Sequence, residues 1–100
     1  MAANPLPRPR KAMATISVNA ATVTSIGPVK PGDTIEWTNK TSSPIAIAVS
    51  AVNGYFPLTV NSFIIAAGET YTSTVAPNVP PGDYPFARNG KAGGKIIVGS

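Results

Sequence analysis

The sequence predicts an all-β fold: a Greek-key antiparallel β-sandwich or barrel of seven to eight short strands. Three observations lead there. Apolar and polar residues alternate over short runs rich in Ile, Val and Thr, the period of a half-buried strand. Gly (9) and Pro (11) make up a fifth of the 100 residues and fall between those runs, where they mark turns. No stretch of helix length carries apolar residues at a 3.6-residue spacing. Short, evenly spaced strands joined by Gly/Pro turns suit a sandwich or barrel, and a chain of this length suits one domain.

The first twelve residues, MAANPLPRPRKA, stand apart. Pro5, Pro7 and Pro9 favour an extended backbone and remove amide donors. Arg8, Arg10 and Lys11 place three of the eight basic residues here. The segment reads as a basic, Pro-rich arm ahead of a domain over 13–100, either a solvated tail or an arm that lies on an acidic partner.

From Met13 the strand signals follow in order. ATISVNA sets Ile16 and Val18 against Thr15 and Ser17, and TVTSI continues the pattern. Gly27, Pro28, Pro31 and Gly32 punctuate, and Pro31-Gly32-Asp33 forms a tight turn. TIEWTN turns Ile35 and Trp37 inward and Thr34, Glu36 and Thr38 outward. Trp37 is the natural centre of the core, because an indole between two sheets buries the most area. After the polar loop NKTSS comes PIAIAVSAV, with Ile45, Ile47 and Val49 on one face. Ala46 and Ala48 line the other, and their small size suggests a face that is covered closely or sits near another subunit.

NGYFPLTVNS is irregular, and its Tyr55, Phe56, Leu58 and Val60 are expected to pack on the domain. FIIAAGETYTSTV gives an apolar strand, a turn at Gly68, and a strand with Tyr71 and Val75 inward and Thr70, Thr72 and Thr74 outward. A second Pro-Gly-Asp at 81–83 repeats the turn signal, with Asp83 as a turn cap like Asp33. Tyr84, Phe86 and Arg88 then alternate. The chain ends on a strand with Ile96 and Val98 on one face.

Composition removes several function classes. The chain has no Cys and no His, so it has no disulfide, thiolate ligand, imidazole ligand or imidazole base. The carboxylates Asp33, Glu36, Glu69 and Asp83 sit in turns or on outward strand positions. The nucleophile-elbow, P-loop and dinucleotide patterns are absent. The expectation is that the chain is not an enzyme and takes no cofactor. The net charge of +4 leaves room for an anionic ligand. A nucleic-acid partner is disfavoured without a dense basic stripe and interleaved aromatics. No apolar run is long enough to span a membrane, and the first residues lack the apolar core of a signal peptide. That leaves two localisations open: cytoplasmic synthesis, or the mature form of an exported protein.

Three blocks carry a family resemblance. VKPGDTIEWTNKTSSPIAIAV (29–49), AAGETYTSTV (66–75) and PPGDYPFARNGKAGGKIIV (80–98) resemble, in order, the corresponding stretches of plastocyanin-type cupredoxins, over about residues 14 to 99. The resemblance implies a cupredoxin-like sandwich and, in the family, copper held by two His, a Cys and a Met. Ile45 stands where the first His would be, after Pro44. Arg88 stands at the Cys, Lys91 at the second His and Gly94 near the Met, in a loop about two residues shorter than usual. A blue-copper site needs imidazoles and a thiolate. A hydrocarbon and two cationic donors cannot replace them. The resemblance therefore implies a divergent member without copper ligands, and copper electron transfer is disfavoured.

Two functions remain in view. The first is a metal-free, non-catalytic module acting by protein–protein contact, as a self-associating or surface-coating structural subunit. The Thr-rich strand faces, the Ala46/Ala48 face and the basic arm would serve it. The second is a small-ligand or anion-binding domain. It would use Arg88, Lys91, Lys95 and Lys40 around Gly90, Gly93 and Gly94, whose exposed amides can cradle an anion.

Overall fold

The computed structural model describes residues 13–99; the arm expected at Arg8, Arg10 and Lys11 lies outside the described residues. Eight strands form: β1 (Thr15–Asn19), β2 (Ser25–Val29), β3 (Thr34–Thr38), β4 (Ile45–Val49), β5 (Ser62–Ile65), β6 (Thr70–Thr74), β7 (Gly82–Arg88) and β8 (Lys91–Val98). They make a three-stranded sheet in the order β1-β3-β6 and a five-stranded sheet in the order β2-β8-β7-β4-β5. The pairings β1–β3 and β2–β8 are parallel, so the expected antiparallel sandwich is a mixed one. The reason is that the chain leaves the first sheet after β1 and enters the second at β2. Each of these strands then lies along a later strand running the same way.

The core lies between the sheets and follows the alternation in the sequence. Ile35 and Trp37 of β3, Ile45, Ile47 and Val49 of β4, Tyr84 and Phe86 of β7, and Ile96 and Val98 of β8 are buried. The Trp37 ring meets Phe63 at 5.5 Å and Phe86 at 5.4 Å, both edge to face, and Phe63 stacks on Tyr71 at 4.1 Å. These edge-to-face contacts therefore join the two sheets. The buried indole Nε1–H donates to Ser73 Oγ at 2.9 Å, which removes the cost of an unpaired donor in the core.

The Pro31-Gly32 turn forms as expected. Asp33 N–H donates to the Lys30 carbonyl at 2.9 Å, and Gly32 takes φ 89°, as a type II turn requires. The Asp33 carboxylate accepts from Ala14 N at 3.0 Å and Lys30 N at 2.9 Å. It thereby ties the chain before β1 to the start of β3.

Three expectations are corrected. Gly27 and Pro28 do not end a strand. They lie inside β2, at a one-residue slip in its pairing with β8. Gly27 has φ 121°, which absorbs the irregularity. The second Pro-Gly-Asp is not a capped turn. Gly82 and Asp83 already belong to β7, and Asp83 pairs with Lys95 at 3.1 Å. The Tyr84 hydroxyl fixes the entry to this strand by donating to the Pro80 carbonyl at 2.7 Å. Of the apolar residues in 55–60, Leu58 is buried and Tyr55, Phe56 and Val60 are not. A tight turn at Asn53-Gly54 lifts Tyr55 away, because Val52 and Tyr55 exchange both backbone hydrogen bonds, at 2.9 and 3.0 Å. Ala46 and Ala48 are exposed: no described residue of this chain covers their face, which leaves the expectation of a neighbouring subunit there.

Candidate functional site

The end of the sandwich where the resemblance puts a metal is built by four connections. They are the loop 20–24 after β1, the loop 39–44 between β3 and β4, the turn 66–69, and the β7–β8 turn. Backbone bonds hold them together: Ala20 N–H to Thr38 O at 2.8 Å, Asn39 N–H to Glu69 O at 2.8 Å, and Asn89 N–H to Ala46 O at 2.8 Å.

The β7–β8 connection is a two-residue hairpin in which Arg88 pairs with Lys91. Asn89 and Gly90 take φ 53° and 80°, positive at both places as a type I′ turn demands. The Asn89 side chain is also used. Its Oδ1 accepts from Ala46 N at 2.9 Å, extending the β4–β7 pairing by one step. A stretch that the resemblance would make a ligand loop is here a closed turn.

Arg88 faces inward by the same alternation that buries Tyr84 and Phe86. Its Nε–H donates to the Ala20 carbonyl at 2.7 Å, and its Nη2 donates to the Val23 carbonyl. The guanidinium lies 5.7 Å from the Phe86 ring centroid. Its positive charge rests on two backbone carbonyls and an aromatic ring, favourable partners for a planar, weakly hydrated cation. A guanidinium with its donors so engaged is a joint between β7 and the loop after β1.

The neighbouring glycines make this approach possible. The β7–β8 register slips between Phe86 and Ala87, leaving Gly93 as the extra residue of a bulge. A Cβ on Gly93 would lie 2.8 Å from the Phe86 ring, and one on Gly94 would lie 2.7 Å from Thr24 Cα. Lys95 N–H donates to Thr24 O at 3.1 Å, so β8 and the loop 20–24 run in contact.

Of the expected cationic cluster, the structure brings two members to this end beside Arg88. Lys91 is exposed at the hairpin turn, and Lys40 is exposed on the loop 39–44. Lys95 is not with them. It lies four residues along β8, opposite Ser25, in an ion pair with Asp83. Sequence reasoning missed Asn39, which is fully buried and shapes the loop 39–44. Its Nδ2 donates to Ser43 O at 2.8 Å and Ile65 O at 2.9 Å, and its Oδ1 accepts from Thr41 N at 2.9 Å and Thr41 Oγ1 at 2.6 Å. The signal available was an Asn two residues after the core Trp, at the mouth of a polar loop.

Copper does not fit this donor set. Ile45 is a buried hydrocarbon, Arg88 and Lys91 are cations, and Gly94 has no side chain. Among the described residues no group of three or more Asp, Glu, His or Cys could hold a metal ion.

No family model matches the chain, and no curated protein does. Solved structures of amicyanin do. A Cu(I) form of one amicyanin mutant aligns with TM-score 0.58 and 18% identity, over 90% of this chain and 85% of that one. A reduced Cu(I) form of another aligns with TM-score 0.55 and 14% identity, over 90% and 85%. Amicyanin is a cupredoxin, so the likeness shows a cupredoxin fold.

Proposed function

We propose that this chain, a cupredoxin fold without copper ligands, is a metal-free, non-catalytic module that acts by protein–protein contact, and that the contact is self-association as a structural or surface-coating subunit. One observation carries the reading. Besides Met13, the large apolar side chains exposed to solvent among the described residues all fall between positions 55 and 64: Tyr55, Phe56, Val60 and Ile64 are 48%, 50%, 49% and 69% exposed. Apolar exposure concentrated in one segment supports an interaction surface there, and exposed Tyr and Phe are enriched at such surfaces. The engagement of Arg88 supports the metal-free part, since a cation rests on carbonyls where a thiolate would be needed.

The anion-binding alternative draws support from Lys91 and Lys40 at one end. It has less from Arg88, two of whose five N–H donors are taken by the Ala20 and Val23 carbonyls, and from Gly93 and Gly94, whose small size serves packing. Static light scattering from micromolar to millimolar chain tests the proposed function. The expected result is a reversible rise in mass that Phe56→Ser or Ile64→Lys reduces. A constant monomer mass would sink the reading.

A further inference from the structure

The outer faces of the two sheets differ in kind. On the three-stranded sheet the rows are Thr15–Thr34–Thr74, Ser17–Glu36–Thr72 and Asn19–Thr38–Thr70, all polar, as a sheet facing water should be. The five-stranded sheet breaks that rule. Ala48, Ala87 and Ala92 stand side by side on β4, β7 and β8, and Ala46 stands beside Ile64 of β5. Pro85 is exposed on the same face. Its charges are one adjacent pair, Lys95 and Asp83, 47% and 56% exposed. A face built largely of small residues lets another sheet pack at the usual separation of about 10 Å.

We infer that this face is the dimer surface, occupied by the same face of a second copy about a two-fold axis. The inference rests on the self-association reading above and names its geometry. Charge complementarity selects the partner. An isologous contact sets a patch against itself, and a patch with one cation beside one anion is complementary to itself. Lys95 and Asp83 pair at 3.1 Å within one copy, and across the axis each also faces its opposite in the other copy. An acidic or a basic partner would leave one of the two charges facing its like. The footprint is modest: five strands at about 4.8 Å spacing and about 20 Å of strand length give roughly 400 Å² per copy. The total, about 800 Å², is about half that of a standard specific interface, so the dimer is weak and exchanging.

Charge exchange tests the geometry. Asp83→Lys and Lys95→Asp each place like charges across the axis, and sedimentation equilibrium should show each alone dimerising at least tenfold more weakly than wild type. Mixed in equal amounts, the two variants should recover association, because each then supplies the charge the other lacks. Ala48→Arg should abolish association while circular dichroism remains that of the folded chain. A mixture no tighter than its separate components overturns the inference, as does a dimer indifferent to Ala48→Arg. If Phe56→Ser disrupts association while Ala48→Arg and the charge exchanges leave it intact, the face-to-face geometry fails while self-association stands. A wild-type chain that stays monomeric at millimolar concentration overturns both.

Discussion

The Arg88 Nε–H donates to the Ala20 carbonyl at 2.7 Å, joining the end of β7 in the five-stranded sheet to the loop that leaves β1 in the other. With the second bond to Val23, one side chain locks two carbonyls that are 65 and 68 residues away in sequence. A hydrogen bond from a charged donor contributes about 1.5 to 3 kcal/mol, and the half-buried position places the pair at the lower part of that range. Arg88→Met, which keeps much of the packing of the stem, is therefore expected to cost about 2 to 4 kcal/mol. Arg88→Lys should recover less than half, since an ammonium cannot present the planar fork. Urea unfolding of the three chains measures both differences. Equal stability of wild type and Arg88→Met would show that the joint carries no weight.

Gly94 tests the close approach of β8 to the loop 20–24. A methyl group there meets Thr24 backbone, which cannot rotate away. Gly94→Ala should cost about 1 to 3 kcal/mol by overpacking, or more where the strand must shift. Gly68→Ala is the control. Its Cβ would enter open space, so the cost is that of φ 76° alone, about 1 kcal/mol. Thermal unfolding should rank Gly94→Ala as the less stable of the two.

Tyr84 gives the chain an alkaline limit. Burial pushes its phenol above the usual value of 10.0, and the neighbouring Tyr55 adds to the shift. The folded chain therefore holds this proton longer than the unfolded chain does. The resulting stability is fully present below about pH 10, where both states are protonated, and is lost as pH rises through the folded value. Tyr84→Phe keeps the ring and removes the hydroxyl bond to Pro80. It should lower stability by about 1 kcal/mol at neutral pH and flatten the decline above pH 10. Unfolding free energies at pH 7 to 11 check the slope, and an unchanged slope in Tyr84→Phe would contradict the assignment.

The fold was legible because the core residues keep a strict two-residue period. Ile35 and Trp37, Tyr84 and Phe86, and Ile96 and Val98 point inward as their alternation requires. The role of Asn89-Gly90 was not legible. A type I′ hairpin closes the loop and leaves no room for a ligand cage. The direction of Arg88 followed from alternation, but its carbonyl partners did not. They come from a loop some 65 residues earlier, and no local pattern encodes such a meeting. The exposure of Tyr55 and Phe56 was hidden for the opposite reason: apolar identity suggests burial, and only the Val52–Tyr55 turn lifts them clear. Lys95 was grouped with Lys91 by nearness in sequence. A strand carries residues about 3.3 Å apart along its axis, so four positions moved it to a different partner.

The central claim is that Arg88, at the position where the sequence resemblance implies a copper-ligating Cys, is a structural joint. Titration of Cu(II) into the wild-type chain, followed by visible absorption and by amide shifts at residues 20–24 and 88–95, tests it most directly. The expected result is no intense blue charge-transfer band and no saturable shift in those segments, because their side chains offer neither imidazole nor thiolate. A stoichiometric blue band, or copper-saturable shifts centred on Arg88 and Lys91, would contradict it.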